Sequence, residues 1–337
     1  MTDSRELHDD AIVIDGLMFY GDGATDGLIA AGVDAASITV YGFEADFELA
    51  CDEIAGWRRV LNQPDNKWRL IETVSDIQQA HDDGRAGLIM SSQNCRPIGD
   101  QFDRFDLFHR LGLRIMQLTY NTRNYFGDGC LESEDGGLSS LGRQAVKRMN
   151  DLGIAIDLSH VGERTTLMTA EASVQPVLVT HSNAKAIADW PRNKSDDVIR
   201  AVAASGGIIG VSIYGPLLWN GDPARGPNLA DFIQHAEYVA EIVGIDHVSF
   251  GTDLFAVADE PAYCKDVNMA EEHSNPAAAA YASAFDDSMM GRYPADCRGL
   301  AELPNLTGAL VDAGWAEADI RGLLGGNLMR ALGNIWV

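Results

Sequence analysis

The amino-acid sequence predicts an α/β fold, specifically a closed (β/α)8 barrel, and two observations support this prediction. Eight short runs rich in Val, Ile and Leu recur along the 337 residues, and stretches with helical periodicity separate most of them. Runs such as IAIDL and GIIGVSI are apolar at nearly every position, as expected for parallel strands that are buried on both faces. A doubly wound open sheet is the alternative, but no G-x-G-x-x-G motif follows the first run and the sequence contains no Walker A motif.

The predicted strands and helices alternate along the chain. Strands are predicted over residues 11–15, 37–42, 86–91, 112–119, 153–158, 176–180, 207–213 and 246–252. Helices are predicted over residues 45–61, 100–110, 139–151, 163–172, 196–204 and 229–243. Residues 254–300 have no clear periodicity and include an Ala-rich run, so we interpret them as an excursion over the mouth of the barrel. Three further helices are predicted over residues 306–313, 316–324 and 326–334.

The length of the chain allows one domain or two. A prior of about 150 residues per domain favours two, whereas barrels of about 250 residues or more commonly form one. The sequence has no internal repeat, low-complexity tract or linker. We therefore predict a single domain that spans residues 1–337 and ends in the extra helices.

The charge balance and the cysteines limit the partners and the compartment. Fifty acidic and 25 basic side chains give a net charge of −25, which repels phosphate backbones and anionic lipid headgroups. The five cysteines are widely spaced and form no C-x-x-C pair, which favours a reducing compartment. No apolar run typical of a signal peptide or a membrane span occurs. We expect a cytoplasmic protein that binds neither nucleic acid nor membranes.

The active site of such a barrel lies at the carboxyl ends of its strands. Polar or ionisable residues at these ends are therefore the candidates for chemistry. They are Asp15, Gln93, Asn94, Tyr120, Asn121, His160, His181, Tyr214 and Asp253.

Three of these candidates form the strongest pattern. His160 ends IDLSH and His181 ends LVTH, so two adjacent strands direct an imidazole at one point, and Asp253 in FGTD lies within reach of it. Two histidines and a carboxylate suit Zn²⁺ or a similar divalent ion with an open position for water. Either histidine alone would more often be a structural residue than a ligand. No H-E-x-x-H, G-x-S-x-G or cysteine-nucleophile motif supports a competing mechanism.

Several long segments of the chain match one known family. These are IGDQFDRFDLFHRLGLRIMQLTYN at 98–121, GLSSLGRQAVKRMNDLGIAIDLSHVG at 137–162, THSNAKAIADWPRN at 180–193, FGTD at 250–253 and GGNLMRALGNIW at 325–336. From residue 13 to residue 336 the chain resembles the membrane (renal) dipeptidases, a branch of the amidohydrolase-like barrels.

The resemblance implies roles for particular residues. His160 and His181 would bind the second metal of a two-metal site, and Asp253 would handle the proton of the attacking water. Arg192 would pair with the carboxylate of the substrate, although an arginine in PRNKSDD could also form only a surface ion pair. The resemblance also implies a homodimer.

The sequence departs from the family pattern at one side of the site. The family's first strand ends in a His-x-Asp pair that binds the first metal, whereas this chain has Leu17 and Phe19 there. Gln93 replaces the bridging glutamate, and an amide is a weak ligand compared with a carboxylate. Tyr120 replaces the histidine that polarises the scissile carbonyl, and its phenol can still donate a hydrogen bond to an oxyanion. Because these replacements remove ligands of the first metal, we expect one metal ion rather than two. A bacterial subgroup of the family resembles this chain in its DGL and QN features, so we interpret the pattern as an alternative design and not as decay.

The preferred function is a mononuclear metal hydrolase. His160, His181 and Asp253 would hold one Zn²⁺, and a metal-activated water would attack the amide carbon of a dipeptide or small N-substituted amino acid. Arg192 would hold the substrate carboxylate and Tyr120 the oxyanion. Four further residues would orient polar groups of the substrate: Gln93, Asn94, Asn121 and Tyr214.

Two alternative functions stay open. One is a degenerate barrel that binds a small carboxylated metabolite without hydrolysing it, and the other is a lyase or isomerase that acts on an amino acid derivative. Metal content separates the first alternative from the hydrolase, and the identity of the product separates the second.

Overall fold

The computed structural model describes residues 3–21, 23–256, 276–285 and 290–336. Ten strands occur within these ranges. They are β1 (Ile14–Tyr20), β2 (Ala35–Thr39), β3 (Trp68–Leu70), β4 (Ala86–Ser92), β5 (Leu113–Gln117), β6 (Ala155–Asp157), β7 (Val177–Leu178), β8 (Ile209–Val211), β9 (Val248–Phe250) and β10 (Leu254–Ala256).

The sheet is parallel and closes on itself. Its order is β10–β1–β2–β4–β5–β6–β7, while β8 pairs with β9 and β3 adds to β4. A parallel bridge between Val179 and Ile209 joins the β7 side to β8. The backbone N–H of Asp253 donates to the carbonyl of Leu17 at 3.0 Å and joins the end of β9 to β1. The fold is therefore the predicted (β/α)8 barrel, with β9 and β10 as two parts of its eighth strand.

Helices follow most of the strands and form the outer layer. They are α1 (Ser4–Asp10), α2 (Thr25–Ala30), α3 (Phe47–Leu61), α4 (Val74–Asp83), α5 (Asp103–Arg110), α6 (Ser140–Leu152), α7 (Glu163–Ala172), α8 (Asp196–Ala204), α9 (Gly215–Leu218), α10 (Leu229–Val243), α11 (Pro276–Ala284), α12 (Pro304–Asp312), α13 (Glu317–Arg321) and α14 (Asn327–Gly333). A π-helical turn, Gly322–Gly326, joins α13 to α14. No helix of the described ranges is both long and apolar enough to cross a membrane.

Each of the eight predicted strands overlaps an observed strand, but some short elements lie outside the prediction. Helix α4 is one of them, although Thr73 and Asp76 form a capping box at its start and Gly84, with φ of 63°, ends it. Only Ile77 and Ala80 of this helix are buried. Its apolar face is therefore too narrow to produce a clear helical period.

The strands approach one another closely at the centre of the barrel. A Cβ atom on Gly16 would lie 2.7 Å from the carbonyl oxygen of Thr180 and 2.9 Å from that of Phe250. Since side chains cannot occupy that space, glycine is needed where the first strand faces the ends of β7 and β9. This close approach sets the distance between the residues that the strands carry to the mouth.

The C-terminal helices pack beside the first helix. The Nδ1 atom of buried His8 in α1 lies 2.7 Å from the hydroxyl of Thr307 in α12, and Arg321 forms an ion pair with Asp10 at 2.8 Å. Part of the predicted excursion, residues 257–275 and 286–289, lies outside the described residues. The part that follows reaches the barrel mouth, since the Tyr293 hydroxyl donates to the Asp253 carbonyl at 2.6 Å.

Candidate active site

Two buried histidines meet at the mouth of the barrel. His160 follows β6 and His181 follows β7, and both strands point their carboxyl ends at the same spot. The two Nε2 atoms lie 3.1 Å apart, and both side chains are almost completely buried. The structure therefore brings together the two imidazoles that the strand-end pattern singles out.

A hydrogen-bonded series fixes the proton of His181. The Thr180 hydroxyl lies 2.7 Å from both Asp157 Oδ2 and His181 Nδ1. Because the hydroxyl donates its proton to the carboxylate, it accepts a hydrogen bond from His181 Nδ1. His181 Nε2 then carries a lone pair, which faces His160.

His160 lies between three polar groups and an aromatic ring. Its Nδ1 atom lies 2.7 Å from Asn121 Oδ1 and 3.0 Å from Arg192 Nε, and its backbone N–H donates to Gln117 Oε1 at 3.0 Å. The Tyr120 ring stacks on the imidazole with 4.1 Å between centroids. Tyr120 and Asn121 thus lie beside His160, as their position after β5 suggests.

Arg192 is held against the histidine pair by the loop that follows β7. Its Nη2 atom lies 2.8 Å from His160 Nε2 and 3.4 Å from the carbonyl oxygen of His181. Its own carbonyl accepts a hydrogen bond from the Ser182 hydroxyl at 2.9 Å, and the backbone N–H of Lys194 donates to Asn183 at 2.8 Å. These bonds close the loop and bury the guanidinium, so Arg192 is no surface residue.

Electrostatics keeps the histidines neutral. Burial, and after it the positive charge of Arg192, holds the pKa of both His160 and His181 well below the ordinary value. Burial also lowers the pKa of Lys194 to about 8, and its ammonium donates to the Val161 carbonyl at 3.1 Å. Neutral imidazoles are the form that binds metal ions.

Asp253 lies at the bend between β9 and β10. Its φ of 60° is in the left-handed region, and among the described residues only Asn121 is another non-glycine residue with positive φ. Such strained backbone is concentrated at functional sites. Asp253 Oδ2 lies 4.0 Å from Arg192 Nη2, which places the carboxylate near the histidine pair.

Asp15 is the second residue of β1 and not its carboxyl end, because the strand begins and ends later than the predicted residues 11–15. It lies beneath this bend. Its carboxylate accepts hydrogen bonds from the backbone N–H groups of Thr252 at 2.9 Å and Leu17 at 3.0 Å. Burial nevertheless raises the pKa of Asp15 to about 7. Asp15 therefore ties the first strand to the segment that carries Asp253.

The remaining candidates lie around the mouth and already have partners. Gln93 donates to Thr39 at 2.9 Å and reaches His160 through Gln117. Asn94 donates to the Phe43 carbonyl at 2.8 Å. The Tyr214 hydroxyl accepts from Arg292 at 3.2 Å.

The opposite side of the mouth is aromatic. Leu17 is buried, and the Phe19 ring stacks on Phe255 with centroids 4.4 Å apart. Phe43 stacks on Tyr120 with centroids 4.1 Å apart and planes only 3° from parallel. Hydrophobic rings thus line the side where the family has its His-x-Asp pair.

Sequence reasoning missed several residues of the site. Asp157 and Thr180 belong to the same strand-end motifs as the histidines, so their position was a usable signal. The sequence contained no signal for Phe43 and Phe255, because an aromatic residue in a loop or strand does not reveal which other ring it will stack on.

The two facing imidazoles have the spacing of two ligands of one tetrahedral metal ion. With Zn–N distances of roughly 2.0–2.1 Å, two nitrogens bound to one tetrahedral ion lie about 3.3 Å apart, close to the 3.1 Å observed. Leu17 and Phe19 offer no donor for a second ion. Within the described ranges no group of three or more His, Cys, Asp or Glu side chains is arranged to hold a metal. Arg192 contacts His160 Nε2, so metal binding requires that contact to open.

The fold is that of an amidohydrolase-like barrel with two buried histidines at its mouth. The sequence model of the family described as membrane dipeptidase (peptidase family M19) matches residues 24–272. That range is most of the chain, and the chain belongs to this family. The family resemblance of the sequence is thereby confirmed.

Individual relatives support the same placement. The structure is similar to an amidohydrolase from Pseudomonas aeruginosa, with a TM-score of 0.85 and 31% identity over 99% of both chains. It also shares the fold of a metallopeptidase from Rhodobacter sphaeroides liganded with a phosphinate mimic of the dipeptide L-Ala-D-Ala, with a TM-score of 0.78 and 21% identity over 97% of this chain and 100% of that one.

In sequence the chain is 28% identical over 267 residues to the dipeptidase aclJ of Aspergillus oryzae. The match covers 78% of this chain and 55% of the fungal protein. The chain therefore spans about half the length of that curated relative.

Proposed function

We propose that this protein is a metal-dependent hydrolase that cleaves the amide bond of a dipeptide or a small N-substituted amino acid. The observation that carries the proposal is the buried pair His160 and His181, with 3.1 Å between facing Nε2 atoms, beside Arg192 in a membrane dipeptidase barrel. Membership of this family favours hydrolysis over the binding-only and lyase alternatives.

Arg192 binds the carboxylate of the substrate in this proposal. Its guanidinium is buried and lies 4.0 Å from the carboxylate of Asp253 at its nearest atoms, too far for a direct hydrogen bond. A planar guanidinium binds a carboxylate through two parallel hydrogen bonds. A substrate carboxylate would draw Arg192 away from His160 and so open the histidine pair.

The polar residues around His160 orient the scissile amide. Tyr120 stacks on His160, so its phenol is held near the point where an oxyanion would develop. The amide nitrogen of Asn121 is buried and has no hydrogen-bond partner among the described residues, which leaves a donor for the substrate. We propose that Gln93, Asn94 and Tyr214 also orient polar groups of the substrate.

In this proposal Asp253 would accept the proton of the attacking water. It would also have to move towards the histidines to act as a third ligand, because within the described ranges the three side chains are not arranged to hold an ion. A single Zn²⁺ bound there would supply Lewis acidity and lower the pKa of water to about 7. Asp157 and Thr180 hold His181 in the tautomer whose Nε2 lone pair faces the site.

Metal content tests the proposal directly. Inductively coupled plasma mass spectrometry on protein purified without a metal-affinity tag should find about one zinc per chain, which the His160→Ala/His181→Ala variant should lose. A His8→Gln variant is the matched control. His8 is equally buried, but it lies in α1, away from the barrel mouth, and its partners are the Thr307 hydroxyl and the Ala31 carbonyl.

The same preparations would be assayed for release of amino acids from dipeptides. Zinc in the wild type together with dipeptide cleavage supports the hydrolase. Absence of metal from the wild type, even after incubation with zinc, would overturn it in favour of a binding protein.

Three broader properties are also proposals. None of the four cysteines within the described ranges forms a disulfide, which supports a reducing, cytoplasmic location. The contact between α1 and the C-terminal helices supports one domain over residues 1–337. A homodimer is expected from the family and would be tested by sedimentation velocity.

A further inference from the structure

A cavity of about 800 Å³ lies at the carboxyl ends of β1 and β2. It lies against α3 on the aromatic side of the mouth, and its volume is typical of a small-molecule site. Six of the side chains that line it are aromatic: Phe19, Tyr20, Tyr41, Phe43, Trp57 and Phe255.

The cavity is connected to the histidine pair through ring contacts. Phe19 packs edge-to-face on Phe43 at 5.8 Å, Phe43 stacks on Tyr120, and Tyr120 stacks on His160, each of the last two at 4.1 Å. A group in the cavity would therefore lie one or two rings from the proposed reaction centre. The two stacking distances of 4.1 Å place the Phe43 ring within two stacking distances of His160. A dipeptide, at roughly 3.3–3.6 Å per extended residue, can cover such a span with its acyl side chain.

The charges around the cavity favour a neutral occupant. Glu53 and Arg59 both line it, so their opposite charges offset each other, and Glu53 already accepts a hydrogen bond from the Gly42 N–H at 2.8 Å. Phe43 also uses one face for stacking on Tyr120, which reduces the ring surface offered to a cation. An apolar group fits this environment better than an ammonium or a carboxylate.

The order of the contacts from Arg192 to the aromatic rings decides which part of the substrate enters the cavity. Arg192 contacts His160 at one end of the series, whereas Phe19 and Phe255 lie at the other end. With the substrate carboxylate on Arg192, the residue on the other side of the scissile amide points towards the cavity. That residue is the acyl, or amino-terminal, one.

We propose that this cavity binds an aromatic or bulky apolar side chain of the acyl residue, so that the enzyme prefers substrates such as L-Phe-Gly over L-Ala-Gly. The preference rests on the proposed hydrolase function. The phenyl group would be removed from water against Phe19, Phe43 and Trp57, which should favour L-Phe-Gly by about 10- to 100-fold in kcat/KM.

Two variants test the preference. Trp57→Ala and Phe19→Ala should each reduce the ratio of kcat/KM for L-Phe-Gly to that for L-Ala-Gly by at least about fivefold. The control is Trp336→Ala, because Trp336 is also half-buried but lies near Gly153, before β6, at the opposite end of the barrel. The control should keep the wild-type ratio. A ratio near 1 in the wild type, or a preference for L-Lys-Gly, would overturn the assignment.

Binding of dipeptide analogues that cannot be hydrolysed separates this proposal from the hydrolase proposal. Analogues of L-Phe-Gly and L-Ala-Gly with CH2–NH in place of the scissile CO–NH keep both the carboxylate for Arg192 and the acyl side chain for the cavity. Isothermal titration calorimetry with the wild type should find the L-Phe analogue bound at least about tenfold more tightly than the L-Ala analogue, and Phe19→Ala should lose this difference. Equal or undetectable binding of the two analogues would overturn the cavity assignment. Tight binding of the L-Phe analogue without hydrolysis of any dipeptide would keep the cavity and overturn the hydrolase.

Discussion

The two sides of the barrel mouth have been built from different kinds of side chain. On the side of β6 and β7, His160, His181 and Arg192 are buried, polar and held by hydrogen bonds. On the side of β1 and β2, Phe19 and Phe43 are half-buried and held by ring packing.

In the proposed function, the histidine side supplies the catalytic groups and the aromatic side supplies the surface that recognises the substrate side chain. Ionisable groups need hydrogen-bond partners when they are buried, and the histidine side supplies them through residues such as Thr180 and Asn121. Aromatic rings need only complementary surfaces. Substitutions on the aromatic side can therefore change which substrate side chain fits without altering the hydrogen bonds that hold the histidines. Variants on each side should therefore have distinct kinetic effects.

The largest effect is expected from removing a histidine. His181→Ala should lower kcat/KM for a dipeptide by at least about 10³-fold, since loss of a metal ligand should exceed the roughly 10- to 100-fold cost typical of its hydrogen-bond partners. Steady-state kinetics would measure the loss, with His8→Gln as the buried-histidine control. Retention of more than a tenth of the activity would show that the chemistry does not depend on the histidine side.

Arg192 should come next. Arg192→Lys replaces a planar fork by a point charge, and we expect kcat/KM to fall about 10- to 100-fold, mainly through KM. A dipeptide and its C-terminal amide should be compared, because only the former carries the carboxylate. The wild type should prefer the free acid and the variant should not, whereas an unchanged preference would remove Arg192 from substrate binding.

Asp15 lies between the two sides and should make stability depend on pH. Its pKa is raised from 3.8 to about 7 by burial, so the folded state favours the protonated carboxyl. This contribution is complete below about pH 4 and is lost as the pH rises towards 7, with a fall of about 2 kcal/mol in the free energy of unfolding between pH 5 and pH 7.

Urea denaturation of the wild type and Asp15→Asn across this range would measure the effect. The asparagine variant does not titrate at this position and should give a flatter curve. Parallel curves for the two proteins would contradict the buried carboxyl as the source of the pH dependence.

The smallest effect is expected at Tyr120, where the two sides meet. Tyr120→Phe keeps the ring between Phe43 and His160 but removes the hydroxyl, so kcat should fall only about 3- to 10-fold with KM unchanged. Tyr120→Leu should in addition lower the melting temperature, because it removes the stack. If Tyr120→Phe keeps the full kcat, the residue contributes packing alone.

The relation between sequence and site differs from residue to residue. His160 and His181 were predictable because adjacent parallel strands end at the same edge, which makes position along the chain a guide to position in space. Arg192 came only from family resemblance, since the 13 residues 179–191 separate it from β7. Its contact with His160 depends on hydrogen bonds that close that loop, such as the one from Ser182.

The amino-acid sequence by itself determined the barrel and the order of the strands that carry the histidines. Both follow from the local hydrophobic pattern, because each strand is formed by residues that are neighbours in the chain. That Leu17 and Phe19 replace a metal-binding pair is implied by the family resemblance. Only the tertiary structure decided that Phe19, Phe43 and Tyr120 form a series of rings leading to His160, and that a cavity lies beside them. Ring stacking depends on the relative placement of distant segments, and no local pattern in the chain encodes it.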